Sequence, residues 1–297
     1  MIKLFSLLNY VGEAAAAPAA ASRRTWLHGL GRALVAAAPL ALAAAPTARA
    51  ATDDTSFDSV LLLLHLERLQ LALYTQALDA TGLVPAAQLP DVQRLKAHQR
   101  QHEAFLRQNL TDAGATVPAS PAFDFTGRRN SPAHPALFPN VFGDFKVFLA
   151  LAQALEDFGV RLYKAQLANL VSNRQLYTAV LHMHLVEARH SAHIRTLRRN
   201  AGATAKSWPS NADAPLTELS QAPALTDTIK GEEQTLQYLA GPKLVPFTDL
   251  LTAANGTSIH DPALAEAFDE PLDALATALG TATPAVRAQA VFALFSS

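Results

Sequence analysis

Glu187 and His190 stand three residues apart in Glu187-Ala188-Arg189-His190, which places a carboxylate and an imidazole on one face of a helix at neighbouring heights. Both groups are ligands for divalent transition metals. Gln99-Arg100-Gln101-His102 has the same spacing with an amide in place of the acid, and Glu67 and Glu156 each interrupt an otherwise apolar segment. A lone buried carboxylate costs several kcal/mol unless it is paired, protonated or bound to a cation. Two arrangements would offset that cost. One is a shared metal site made by Glu67, His102, Glu156, Glu187 and His190, with Gln99 contributing one neutral oxygen. The other is a metal-free network in which histidines and Arg189 satisfy the carboxylates.

Both arrangements require these residues to face a common core. Four segments have helical periodicity and plausible ends. They run from about Ser56, a candidate N-cap, to Ala80; from near Pro90 to just before Gly114; from about Asp144 to Leu170; and from about Arg174 to Arg199. Steps of three and four residues give each an inward stripe. In the first helix the stripe is Phe57, Val60, Leu64, Glu67, Leu71, Tyr74 and Leu78. In the second it passes through Leu95, Gln99, His102 and Leu106; in the third, Leu149, Ala152, Glu156, Gly159 and Tyr163; in the fourth, Val180, Met183, Glu187, His190 and Ile194. Every stripe turns polar near its middle. His65, His98, His182, His184, His193 and Glu103 fall outside the stripes, and Tyr163 reads as an ordinary core tyrosine or, alternatively, as a redox-active phenol or one supporting the metal ligands.

Short links join the first helix to the second and the third to the fourth. A longer segment with Pro118, Pro121, Pro132, Pro135 and Pro139 separates the pairs. The expected fold is therefore all-α: two helical hairpins joined by a long crossover, the ferritin-like four-helix arrangement. Such bundles hold two iron or manganese ions with one Glu on each of two helices and Glu-x-x-His on the other two. Here one of the four carboxylates is replaced by Gln99, so the pattern supports one or two ions with weaker bridging of a pair.

Local motifs carry a family resemblance over roughly residues 55–200. Leu66-Glu67-Arg68-Leu69 resembles an L-E-Y-L motif, and His102 to Arg107 resembles H-V-x-F-L-R. Leu155-Glu156-Asp157-Phe158-Gly159-Val160 with Tyr163 resembles L-E-D-V-G-V with its following Tyr. Val186-Glu187-Ala188-Arg189-His190 with Leu197-Arg198 is the nearest match. The family is that of exported bacterial ferritin-like proteins, which includes the plant desiccation-related proteins. The resemblance implies the same bundle and a di-metal centre, without fixing an activity.

Residues 1–50 read as an address. Ser22-Arg23-Arg24-Thr25-Trp26-Leu27 precedes an apolar stretch, Ala33 to Ala45, and Ala48-Arg49-Ala50 closes it. Charged, apolar and A-x-A parts make a cleavable signal, and the apolar stretch is too short to span a bilayer; the alternative reading is an N-terminal membrane anchor. The arginine pair resembles the twin-arginine signal. That implies translocation of a folded protein by the twin-arginine machinery, cleavage after about Ala50, a periplasmic location and no stable membrane insertion afterwards.

Residues 51–200 form the expected bundle, and 201–297 an extension. The extension reads as mostly irregular, with short helices beginning at Asp261-Pro262 and Thr283-Pro284. The chain carries a formal charge of -1 and only 16% charged residues. Without residues 1–50 it is more acidic, which argues against nucleic acid as a partner. With no cysteine present, disulfides, thiolate metal sites and iron–sulfur clusters are excluded. Two functions follow: an exported metalloprotein handling oxygen, peroxide or the metal itself, or a non-catalytic envelope or stress-related protein with a degenerate metal site. Storage of iron inside a shell would have to accommodate the long extension.

Overall fold

A computed structural model describes residues 48–128, 135–210 and 283–296, the backbone of two short strands, and the isolated positions 133, 213, 216, 222, 225, 266 and 272. Helix α1 spans Ala48–Asp79, α2 Leu89–Asp112, α3 Phe145–Leu167 and α4 Arg174–Asn200. A 3-10 turn, Ala168–Leu170, follows α3. Strands β1, Leu236–Ala240, and β2, Lys243–Pro246, pair antiparallel, and α5 spans Pro284–Phe292.

The helix ends follow local chemistry. Pro90 lies in the first turn of α2. Asp144 caps α3 by accepting from the Lys146 amide at 2.8 Å, and Asn173 caps α4 by accepting from the Leu176 amide at 3.2 Å. Gly82 and Gly202 take positive φ just beyond α1 and α4, where a side chain would be strained. One end differs from expectation. Helix α1 begins at Ala48, not Ser56, and runs on through Ala48 to Thr55 before the expected cap. The Ser56 hydroxyl donates to the Asn169 carbonyl at 3.0 Å, tying α1 to the turn after α3.

Helices α1 and α2 form one antiparallel hairpin and α3 and α4 the other, with residues 113–144 crossing between them. The hairpins meet chiefly through α1 and α3. Burial on α1 is wider than one stripe: Leu63, Leu66, Leu69 and Leu73 are as buried as Leu64 and Tyr74. Every residue of α3 from Phe148 to Tyr163 is buried. A helix enclosed on all sides needs cover beyond its three bundle partners.

The later chain and the crossover supply some of that cover. Phe292 of α5 packs edge-on to Phe158 and at 4.2 Å from His65, and the Leu272 amide donates to the Arg161 carbonyl at 3.0 Å. Phe295 contacts Phe125 and stacks on Phe138 of the crossover, and the Asp124 amide donates to the Phe295 carbonyl at 2.9 Å. Asp157 of α3 accepts two bonds from Arg195 of α4, at 3.0 and 2.6 Å, and Arg195 reaches on to Asp213 and the Trp208 carbonyl. The helix expected at Thr283-Pro284 is α5, with the Thr283 hydroxyl accepting from the Val286 amide. The pair β1–β2 is an addition that helical periodicity did not reveal, although Gly241-Pro242 stands between the strands as a turn marker in the sequence. The start expected at Asp261-Pro262 and the segment 1–47 lie outside the described residues.

Candidate metal centre

Glu67 comes from the middle of α1, His102 and Gln99 from α2, Glu156 from α3, and Glu187 and His190 from α4. Glu67, Gln99, Glu156 and Glu187 are fully buried, and His190 nearly so. Their ligand atoms fall into two groups, Glu67–His102–Glu187 and Glu156–Glu187–His190, each within 4.8 Å. Glu187 belongs to both. His102 Nδ1 lies 3.4 Å from Glu67 Oε2 and 3.1 Å from Glu187 Oε1. His190 Nδ1 lies 3.6 Å from Glu156 Oε2 and 3.5 Å from Glu187 Oε1.

These atoms are close without being hydrogen-bonded. Glu67 Oε2, Glu156 Oε2, Glu187 Oε1, His102 Nδ1, His190 Nδ1 and Gln99 Oε1 are all buried and lack a hydrogen-bond partner. Each such group costs about 1–3 kcal/mol, and more when charged. Arg189, expected to help satisfy the carboxylates without metal, is exposed. The metal-free network is therefore unsatisfied at the very atoms that would bind an ion, and oxygen with imidazole donors fits iron or manganese.

The opposite edges of the carboxylates are held firmly. Tyr163 of α3 donates to Glu67 Oε1, and Tyr74 of α1 donates to Glu156 Oε1. Each tyrosine occupies one oxygen and leaves the other facing the site. Gln70 donates to the Leu155 carbonyl at 3.2 Å and to Glu187 Oε2 at 3.3 Å. It passes over Gly159, where a Cβ would lie 3.0 Å from its amide nitrogen. Gln99 Nε2 also donates to Glu187 Oε2, at 3.4 Å. Glu187 thus receives two amides on one oxygen while its second oxygen faces both imidazoles.

Electrostatics separate the three acids. Burial, then the charge of Glu187, pushes Glu67 up to about 7 and Glu156 up to about 8. Burial opposes ionisation of Glu187 too, but His190 and His102 outweigh it and hold its carboxyl well below the ordinary value. Burial alone would lower both imidazoles; contacts with Glu187 and with Glu67 or Glu156 raise each to about 10. Burial and the neighbouring carboxylates push both tyrosine hydroxyls well above their ordinary value. Without a cation, protons compensate this site.

Residues 55–200 match the model of the family described as ferritin-like domain. These residues are a ferritin-like domain. No curated protein matches the chain. The five site residues expected from sequence, together with Gln99, all lie within this ferritin-like domain and converge in its core. Tyr74, Gln70, Gly159 and His98 contribute in ways the stripes did not reveal. His98, placed off the stripe, has Nδ1 2.9 Å from His190 Nε2. A second signal was present in the sequence: Glu and Tyr stand seven residues apart in both α1 and α3, and an acid or amide stands three before His in both α2 and α4. Glu103, also off the stripe, accepts from Arg68 at 3.3 Å.

Proposed function

We propose that the ferritin-like domain binds one or two iron or manganese ions through Glu67, His102, Glu156, Glu187 and His190, with Gln99 at its margin. The observation that carries this reading is the convergence of five buried ligand atoms that have no hydrogen-bond partner. A bound redox-active ion would supply one-electron chemistry toward oxygen or peroxide. The chain's own part is to hold three carboxylates and two imidazoles in place, to keep Glu187 ionised, and to shield the centre from bulk water.

We further propose that the protein is exported in the folded state through the twin-arginine machinery, cleaved after about Ala50, and acts in the periplasm. The motif around Arg23 and Arg24 supports this route, which suits a protein loaded with metal before export. The family of exported bacterial proteins that includes the desiccation-related proteins remains the relationship its motifs favour. One observation supports a second function, a non-catalytic envelope or stress-related protein with a degenerate site: the neutral amide of Gln99 where a fourth carboxylate would bridge two ions.

Elemental analysis separates the readings. Protein purified after supply of iron or manganese is expected to retain at least one ion per chain, and Glu187→Ala, which removes the residue common to both ligand groups, is expected to retain none. A native protein that stays metal-free under those conditions overturns the metalloprotein reading.

A further inference from the structure

Glu and Tyr share one spacing in α1 and α3, and an acid or amide and His share another in α2 and α4, yet the two halves of the site are not equivalent. In α2 the residue before Gln99 is His98; in α4 the residue before Glu187 is Val186. His98 and His190 lie end to end in nearly parallel planes, with ring centres 5.2 Å apart and planes 13° apart, and His98 Nδ1 meets His190 Nε2 at 2.9 Å. His190 therefore has two differently engaged nitrogens: Nδ1 faces Glu156 and Glu187, and Nε2 faces His98.

A hydrogen bond between two ring nitrogens contains one proton. For His190 to offer an ion the lone pair of Nδ1, its own proton must sit on Nε2 and be donated to His98 Nδ1. His98 then carries its proton on Nε2. The other tautomer of His190 places a proton on Nδ1, in the path of the ion. An outer partner of this kind fixes both tautomer and ring orientation of a ligating histidine.

We propose that His98 is a positioning residue that presets His190 for ligation through Nδ1, making Glu156–Glu187–His190 the tighter of the two ion positions. Glu67–Glu187–His102 is the weaker, with apolar Val186 preceding Glu187 in α4 where His98 precedes Gln99 in α2. This rests on the metal-binding reading and deepens it.

The test titrates cobalt(II) into metal-free full-length protein and follows its absorption bands, in the native chain and in His98→Phe and His98→Asn. Phenylalanine keeps an aromatic ring beside His190 but has no acceptor; asparagine keeps an acceptor oxygen near the position of Nδ1. His98 is only partly buried, so neither change opens the core. The expected result is a roughly 10–100-fold loss of affinity in the tighter class for His98→Phe, with most of it recovered in His98→Asn. Glu156→Gln should abolish that class and Glu67→Gln should spare it. Equal affinity in native and His98→Phe, equal weakening by Phe and Asn, or loss confined to the weaker class overturns the proposal. If the native protein binds no cobalt, the metal-binding reading fails, and the His98 contact is judged in the metal-free protein by nitrogen-15 NMR. A hydrogen-bonded His190 Nε2 proton present in native and His98→Asn but absent in His98→Phe sustains it, and its absence in the native protein overturns it.

Discussion

Gln99 on α2 and Glu187 on α4 meet across the buried core of the bundle, with Gln99 Nε2 3.4 Å from Glu187 Oε2. The amide steadies the carboxylate that both ligand groups share, but it adds no charge. Two divalent ions would therefore face three carboxylates, and bridging would depend on Glu187 alone.

Gln99→Glu restores a fourth acid at this level. Without metal, like charges in a dry core repel, so the variant should melt lower or bind an additional proton. With iron or manganese the added charge is compensated. The native protein is expected to bind one ion firmly and Gln99→Glu a second, read as metal per chain after extensive dialysis. Two firmly held ions in the native protein would show that the amide is a sufficient ligand.

Six atoms of the site were recoverable from the stripes because helical period alone decides which side chains face inward. His98 escaped because its contact runs sideways along α2 to the neighbouring α4, a direction period does not encode. Gly159 is legible only in three dimensions: a glycine in a helix interior costs about 1 kcal/mol, and the reason for it is Gln70 crossing from α1. The Asp157–Arg195–Asp213 chain joins residues whose individual sequence contexts look like ordinary helix surface and loop.

The two tyrosines act on stability as well as on geometry. Tyr74→Phe or Tyr163→Phe leaves a buried carboxylate oxygen without its donor, at a cost of about 1–3 kcal/mol. In metal-free protein each change should lower Tm by on the order of 2–12 °C, with helix content unchanged. An unaltered Tm would mean that the freed oxygen finds another partner.

Protonation gives the metal-free protein a definite pH dependence. Glu67 and Glu156 are raised from 4.5 to about 7 and 8, and His102 and His190 from 6.5 to about 10. Folding therefore retains protons that the unfolded chain releases, so this stabilisation is complete below the unfolded values and is lost as pH rises through about 7 to 10. Glu187 has the opposite sign, contributing above 4.5 and failing in acid. With chelator present, Tm should fall between about pH 6 and pH 9. The gain on adding manganese should widen over the same range, because ions and protons compete for the same atoms. A Tm that rises with pH in chelator would contradict this assignment of charges.

Export can be examined apart from the metal. Replacing Arg23 and Arg24 together by lysine is expected to leave uncleaved precursor in the cytoplasm, seen by fractionation and intact mass. Normal periplasmic delivery of the double variant would assign the signal to another machinery.

The aromatic seam joining Phe125 and Phe138 to Phe295 sets the timetable of folding. Its partners lie 170 and 157 positions apart along the chain, so the crossover cannot acquire its final cover until α5 and the residues after it have emerged from the ribosome. Each helical hairpin is local and can form early, whereas contacts of such long range form slowly. A nascent chain halted before α5 would have helical hairpins but an open aromatic slot beside the crossover. That exposed slot would distinguish an unfinished molecule from a finished one for any chaperone that binds apolar surface.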